Sequence, residues 1–271
     1  MLNRETPEMW IRNCGLVVGL FLNGLNAAQA TDFLLYNASA GTLPESQSWL
    51  FYAQDAIGGG TVSKSLVASG TRLATNDSGR GGWSNTIPVL NVFKNNNFPS
   101  LDPSAGFSLD WSMQVISESH VSTDRAGTSV ILLGADNKGI EIGFWTDQVW
   151  AQSASPLFKH AESANFDTRA AAVDYHLEIQ GANYLLYANN SLILNGETHT
   201  YAAFGSAPYT LSNYFFIGDN TTSAGATTQF GSIHLITPVP EASSISLSLV
   251  GIMALVFACR RQVLPNRFSC Q

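Results

Sequence analysis

The chain has 271 residues, with 20 acidic and 13 basic side chains, a net charge of −7 near neutral pH and only 12% charged residues. That acidic balance argues against binding nucleic acid or an anionic membrane surface. All three cysteines (Cys14, Cys259, Cys270) lie near the two ends, so thiol catalysis, cysteine-ligated zinc and iron–sulfur clusters are excluded from everything between.

Residues 14–25 (CGLVVGLFLNGL) form a 12-residue apolar run, the length of a signal-peptide core and too short to span a bilayer. Ala28-Gln29-Ala30 follows as an A-x-A cleavage site. Residues 1–30 therefore read as a signal peptide, and the mature chain is expected to begin at Thr31. Glu5 and Glu8 are unusual in a leader, and Met9 followed by Trp10-Ile11-Arg12 offers a more typical start.

Residues 31–237 read as one all-β domain carrying an excess of acidic side chains. Period-two alternation runs through it. Phe107, Leu109, Trp111, Met113 and Val115 fall on one face of a strand, so Trp111 is expected in the core. The run around Val130–Leu133 is apolar on both faces and reads as a central strand. A two-residue turn at Thr146-Asp147 sets Phe144 opposite Val149 and Ile142 opposite Ala151. On the other face it sets Glu141 opposite Gln152, Gly143 opposite Trp150 and Trp145 opposite Gln148; a one-residue slip would mix the faces. Gly181-Ala182 suits a type II′ turn and Asn189-Asn190 a type I′ turn, aligning Leu177, Leu186 and Ile193 across three strands. Late strands at 214–218 and 227–236 bring the total to about a dozen, which calls for a two-sheet antiparallel sandwich, most simply a jelly roll.

Residues 238–271 read as a tail. Val239-Pro240-Glu241-Ala242 leads into an uncharged apolar stretch at 242–259, then Arg260-Arg261. Eighteen residues make a helix about 27 Å long, just enough to cross a hydrocarbon core of roughly 30 Å. Arg260, Arg261 and Arg267, with no acid after Glu241, put the C-terminus on the cytoplasmic side.

The order of Pro240-Glu241, apolar helix and basic end (260–271) resembles the PEP-CTERM sorting signal, with Ala242 where that family usually has proline. The resemblance implies an exosortase-type partner, transient insertion in the inner membrane through the C-terminal helix, and delivery to the cell envelope or outer surface. Residues 175–196 (YHLEIQGANYLLYANNSLILNG) and 214–235 (YFFIGDNTTSAGATTQFGSIHL) resemble concanavalin A-like, laminin-G-type sandwiches. The segments TLPESQSWLFY (42–52), SESHVSTDRAG (117–127) and GIEIGFW (139–145) resemble the choice-of-anchor family, type Y, which implies a surface-anchored domain without an established activity.

The candidate ligand surface is the face carrying Trp145, Trp150, Glu141 and Gln152, because aromatic rings beside carboxyl and amide groups suit sugar binding. The other reading of that face, and the one the residues favour, is packing, with Trp150 covering Gly143 or the face lying against an adjacent strand or loop. A glycosidase would need paired carboxylates about 5–10 Å apart, and Glu141 has only Gly143 and Trp145 as same-face neighbours. Ser119, His120 and Asp124 have the residue types of a hydrolase triad but share one short loop. The five histidines are scattered, so no metal ligand set is assigned and no cofactor is expected. The laminin-G resemblance leaves Ca²⁺ open, with Asp124, Asp136 and Asp219 available. The expected function is an exported, surface-anchored non-catalytic domain of the extracellular matrix, biofilm or envelope, with an extracellular polysaccharide as its candidate ligand. The alternatives are a glycan-cleaving sandwich enzyme and a purely structural coat protein held by a plain membrane anchor.

Overall fold

The computed structural model describes residues 30–54, 59–87, 92–93, 95 and 98–238. Residues 1–29 and 239–271, on which the expected signal peptide and tail fall, lie outside them, and Ala30 opens the first strand. The fold is an antiparallel two-sheet β-sandwich. One sheet runs in the order β15 (Ser191–Glu197), β14 (Asn183–Ala188), β13 (Val173–Gln180), β8 (Phe107–His120), β17 (Ala224–Pro238), β4 (Gly70–Thr75), β3 (Val62–Val67), with β1 (Ala30–Tyr36) pairing along the far end of β17. The other runs β12 (Leu157–Asn165), β11 (Gln148–Ala154), β10 (Gly139–Phe144), β9 (Ser129–Leu133), β16 (Tyr214–Asp219), β5 (Arg80–Ser84), β2 (Leu50–Gln54). A two-residue ribbon, β6 (Thr86–Ile87) with β7 (Val92–Phe93), stands apart. Among the described residues the helices are three short 3-10 turns, and none is long and apolar enough to cross a membrane.

The core follows the alternation. On β8 the residues Phe107, Leu109, Trp111, Met113 and Val115 are all buried, while the intervening positions are half-exposed. Trp111 stacks on Tyr175 of β13 (centroids 5.2 Å apart, 17°) and meets the edge of Phe144 from the opposite sheet, which ties the two layers together. β9 occupies the middle of its sheet, and all five of its residues are buried. A strand covered on both faces needs apolar side chains at every position, as in its Val130–Leu133 run.

The hairpin between β10 and β11 has the register expected of a Thr146-Asp147 turn: Phe144 pairs with Val149, Gly143 with Trp150 and Ile142 with Ala151. The turns flanking β14 also have the expected hand. Gly181 has φ 61°, while Asn189 and Asn190 have φ 48° and 64°, the two left-handed residues of a type I′ turn. The third strand departs by one residue. Leu177 faces Leu186, but a bulge between Leu186 and Tyr187 sets Leu194, not Ile193, opposite Leu186. The bulge lets Leu194 reach the core at 3% exposure, leaving Ile193 only partly buried against it.

Candidate functional site

The second sheet has a covered outer face. Ile131, Leu133, Tyr214 and Phe216 point away from the sandwich core and are roofed by Tyr201, Tyr209 and Leu211 from the connection between β15 and β16, forming a small second core. Tyr201 also acts on the strands beneath. The β10–β11 ladder closes through Ile142–Ala151, and Glu141 and Gln152 do not extend it. The Tyr201 hydroxyl stands between them instead, accepting from the Glu141 amide (3.2 Å) and donating to the Gln152 carbonyl (2.8 Å). Both backbone groups stay satisfied while the strands part. β11 is irregular on its other side too, with register shifts against β12 on both sides of Gln152.

A cavity of about 130 Å³ opens where the roof ends. Glu141, Gln152, Arg125 and Asn220 line it, and Phe158, Phe204 and Tyr209 contribute rings. Glu141 is 2% exposed and accepts from the Tyr209 hydroxyl at Oε2 (2.6 Å) and from Asn220 Nδ2 at Oε1 (2.8 Å). Burial pushes its carboxyl above the ordinary value, opposed by those two hydrogen bonds and by the more distant Arg125 charge. Gln152 is 4% exposed, and its side-chain Oε1 has no hydrogen-bond partner, although its Nε2 contacts the Asp124 carbonyl at 3.4 Å. That oxygen is closed off from solvent as well as unpartnered, a buried acceptor whose desolvation the fold bears.

Phe204 is 49% exposed and meets Phe158 and Tyr209 edge-on (5.4 Å each), forming an aromatic lip. Phe158 itself has φ 56°, an uncommon left-handed conformation for an aromatic residue. Arg125 Nη1 donates to its carbonyl, and the guanidinium lies 5.5 Å from its ring centroid.

Of the four residues expected at the ligand face, Glu141 and Gln152 share this cavity. Trp150 is fully buried and has no face on which a sugar could stack. The cause is Gly143: a Cβ there would come within 2.8 Å of the Trp150 ring, so the indole lies directly over the glycine, as in the packing alternative. His160 stacks on Trp150 (3.7 Å, 20°), and burial lowers its imidazole pKa despite the opposing Asp124. Trp145 is half-buried, with His120 stacked on it (4.1 Å, 7°) and its indole N–H donated to the Arg125 carbonyl.

Ser119, His120 and Asp124 form no triad. The imidazole of His120 pairs with Glu118, and Asp124 binds Lys159 and the His160 amide. Asp124, Asp136 and Asp219 do not converge, and no group of three metal-ligating side chains occurs among the described residues. Arg125, Phe158, Phe204, Tyr209 and Asn220 carried no sequence signal; they come from loops and a strand start that only the fold brings together.

No family model matches the chain. A search of the curated proteins finds no match either. Among solved structures, the chain is similar to the carbohydrate esterase vb_24B_21 from the Shiga toxin-encoding bacteriophage phi24B, with a TM-score of 0.51 and 12% identity over 78% of this chain and 100% of that one. That likeness supports the two-sheet sandwich and nothing finer. Weaker likenesses, too low to carry an argument, are to the VIP36 exoplasmic/lumenal domain in its Ca²⁺/Man-bound form (TM-score 0.44, 10% identity, 78% and 91% coverage) and to the cellulose induced protein Cip1 (0.42, 11%, 70% and 91%).

Proposed function

We propose that this chain is an exported, surface-anchored protein whose concanavalin A-like, jelly-roll sandwich binds a saccharide without cleaving it, in the cavity above Glu141. The observation that carries the binding proposal is the cavity's lining, with the half-buried Arg125 guanidinium and Asn220 amide beside the exposed ring of Phe204. Sugars present hydroxyls at their rims and C–H faces between them, and that mixed lining answers both. At about 130 Å³ the cavity is well under the roughly 300–1,000 Å³ of a typical small-molecule site. It would take one residue, with the rest of a polysaccharide passing outside over Phe204. The surface-anchoring half rests on the sequence: the signal peptide, the PEP-CTERM-like Pro240-Glu241 with its apolar and arginine blocks, and the choice-of-anchor resemblance.

One observation favours a glycan-cleaving enzyme as the second reading. Glu141 is a buried carboxyl with a raised pKa, the property of a general acid. A sandwich glycosidase would require a second carboxylate across the bond, and the other residues lining the cavity are uncharged or, at Arg125, cationic. A glycan array probed with the full chain, with Asn220→Ala and with Phe204→Ala, run beside a reducing-sugar release assay, separates the classes. Binding by the wild type that is lost in the variants supports a binding module. Sugar release supports the enzyme. Neither result would leave a structural coat protein.

A further inference from the structure

Arg125 uses only one of its nitrogens. Nη1 donates to the carbonyls of Asp124 (2.7 Å) and Phe158 (2.8 Å), while Nε and Nη2 donate to no group among the described residues. The acids nearby leave that edge alone. Asp124 turns its carboxylate to Lys159 and to the His160 amide, and Glu141 makes no ion pair with Arg125 and is capped by neutral donors from Tyr209 and Asn220. Two carbonyl anchors and the ring of Phe158 hold the guanidinium at the cavity wall. Its remaining edge carries two parallel N–H groups, which a planar carboxylate accepts bidentately.

We propose that the saccharide bound in this cavity is a uronate-type sugar, its carboxylate gripped by the Nε/Nη2 edge of Arg125. This deepens the saccharide-binding proposal for the same cavity and rests on it. A uronosyl residue supplies what the cavity wall leaves open, an anion for a guanidinium edge with no partner among the described residues. A neutral sugar carries no such group. The surrounding acidic surface slows an approaching anion, but that field is screened beyond about 8–10 Å, and contact at the guanidinium decides affinity.

The test is calorimetric titration of the purified full chain with a panel of oligouronates and the neutral oligosaccharides of matching length and linkage. At least one oligouronate should bind about tenfold more tightly than its neutral counterpart, and Arg125→Gln should bring that ratio close to one. Arg125→Lys keeps a point charge but not the two-pronged edge and should give an intermediate ratio. A wild-type preference for the neutral partner, or a uronate preference that survives in Arg125→Gln, would overturn the proposal while leaving saccharide binding intact. Binding of neither class would overturn both. Because Arg125 also anchors two carbonyls, circular dichroism accompanies each variant. Should Arg125→Gln fail to fold, the wild-type ratio and the Arg125→Lys ratio decide.

Discussion

Asp219, at 0% exposure, ends β16 and faces the Thr75 hydroxyl (2.6 Å) and the Thr221 amide (2.9 Å). Burial outweighs those bonds and pushes its carboxyl up to about 8. The folded state therefore holds a proton that the unfolded chain has released above about pH 4. Stability is full below the unfolded value and falls as pH rises toward 8, by about 1.4 kcal/mol per pH unit within that window. His176 adds the same sign over a narrower range: Asp110 and Glu178 raise its imidazole to about 8, so its contribution is present below 6.5 and lost as pH climbs through 8. Chemical denaturation of wild type and Asp219→Asn from pH 4 to 9 checks this. The variant should be the more stable protein at pH 8–9, with the gap closing toward pH 4; parallel curves would refute the assignment. Trp150 offers a second check, since Trp150→Ala should cost about 3–5 kcal/mol as a core truncation. A cost below 1 kcal/mol would mean that the indole is not packed as described.

At the level of strands, the structure rewards some kinds of sequence information and not others. Register was legible where alternation and turn chemistry agree, as in the 144–149 hairpin and the Asn189-Asn190 turn, because a slip there exposes one apolar face and buries a polar one. It failed at Ile193, because nothing in the sequence marks a bulge placed to bring Leu194 inward. It also failed in the roof over the second sheet, where Tyr201, Tyr209 and Leu211 follow no period and their partners are fixed only by tertiary contact. Half of the candidate site, Glu141 and Gln152, was visible as a strand face, and the loop half was not. The wedge between the strands makes a prediction of its own. Tyr201→Phe strips a buried hydroxyl that serves the Glu141 amide and the Gln152 carbonyl, so it should destabilise the fold by about 1–3 kcal/mol in denaturant unfolding. It should also weaken saccharide binding, since the cavity lining depends on the parted strands.

For the molecule as a whole, the proposal joins a ligand-binding sandwich to a sorting tail. All three cysteines fall outside residues 30–238, so reductant should leave the melting temperature unchanged. Mass spectrometry of envelope-bound protein should find Thr31 as the N-terminus. Replacing Pro240 and Glu241 by alanine should trap the protein in the inner membrane with its tail retained, whereas unaltered surface delivery would indicate a plain membrane anchor. The central claim is that the cavity above Glu141 holds a sugar. Its most direct test is a crystal structure of the protein with the tightest-binding oligosaccharide from the array. The account predicts one sugar residue in the cavity, with an acceptor within about 3.2 Å of the Arg125 guanidinium and the chain leaving past Phe204. A sugar ordered on another surface, with the cavity empty, would contradict it.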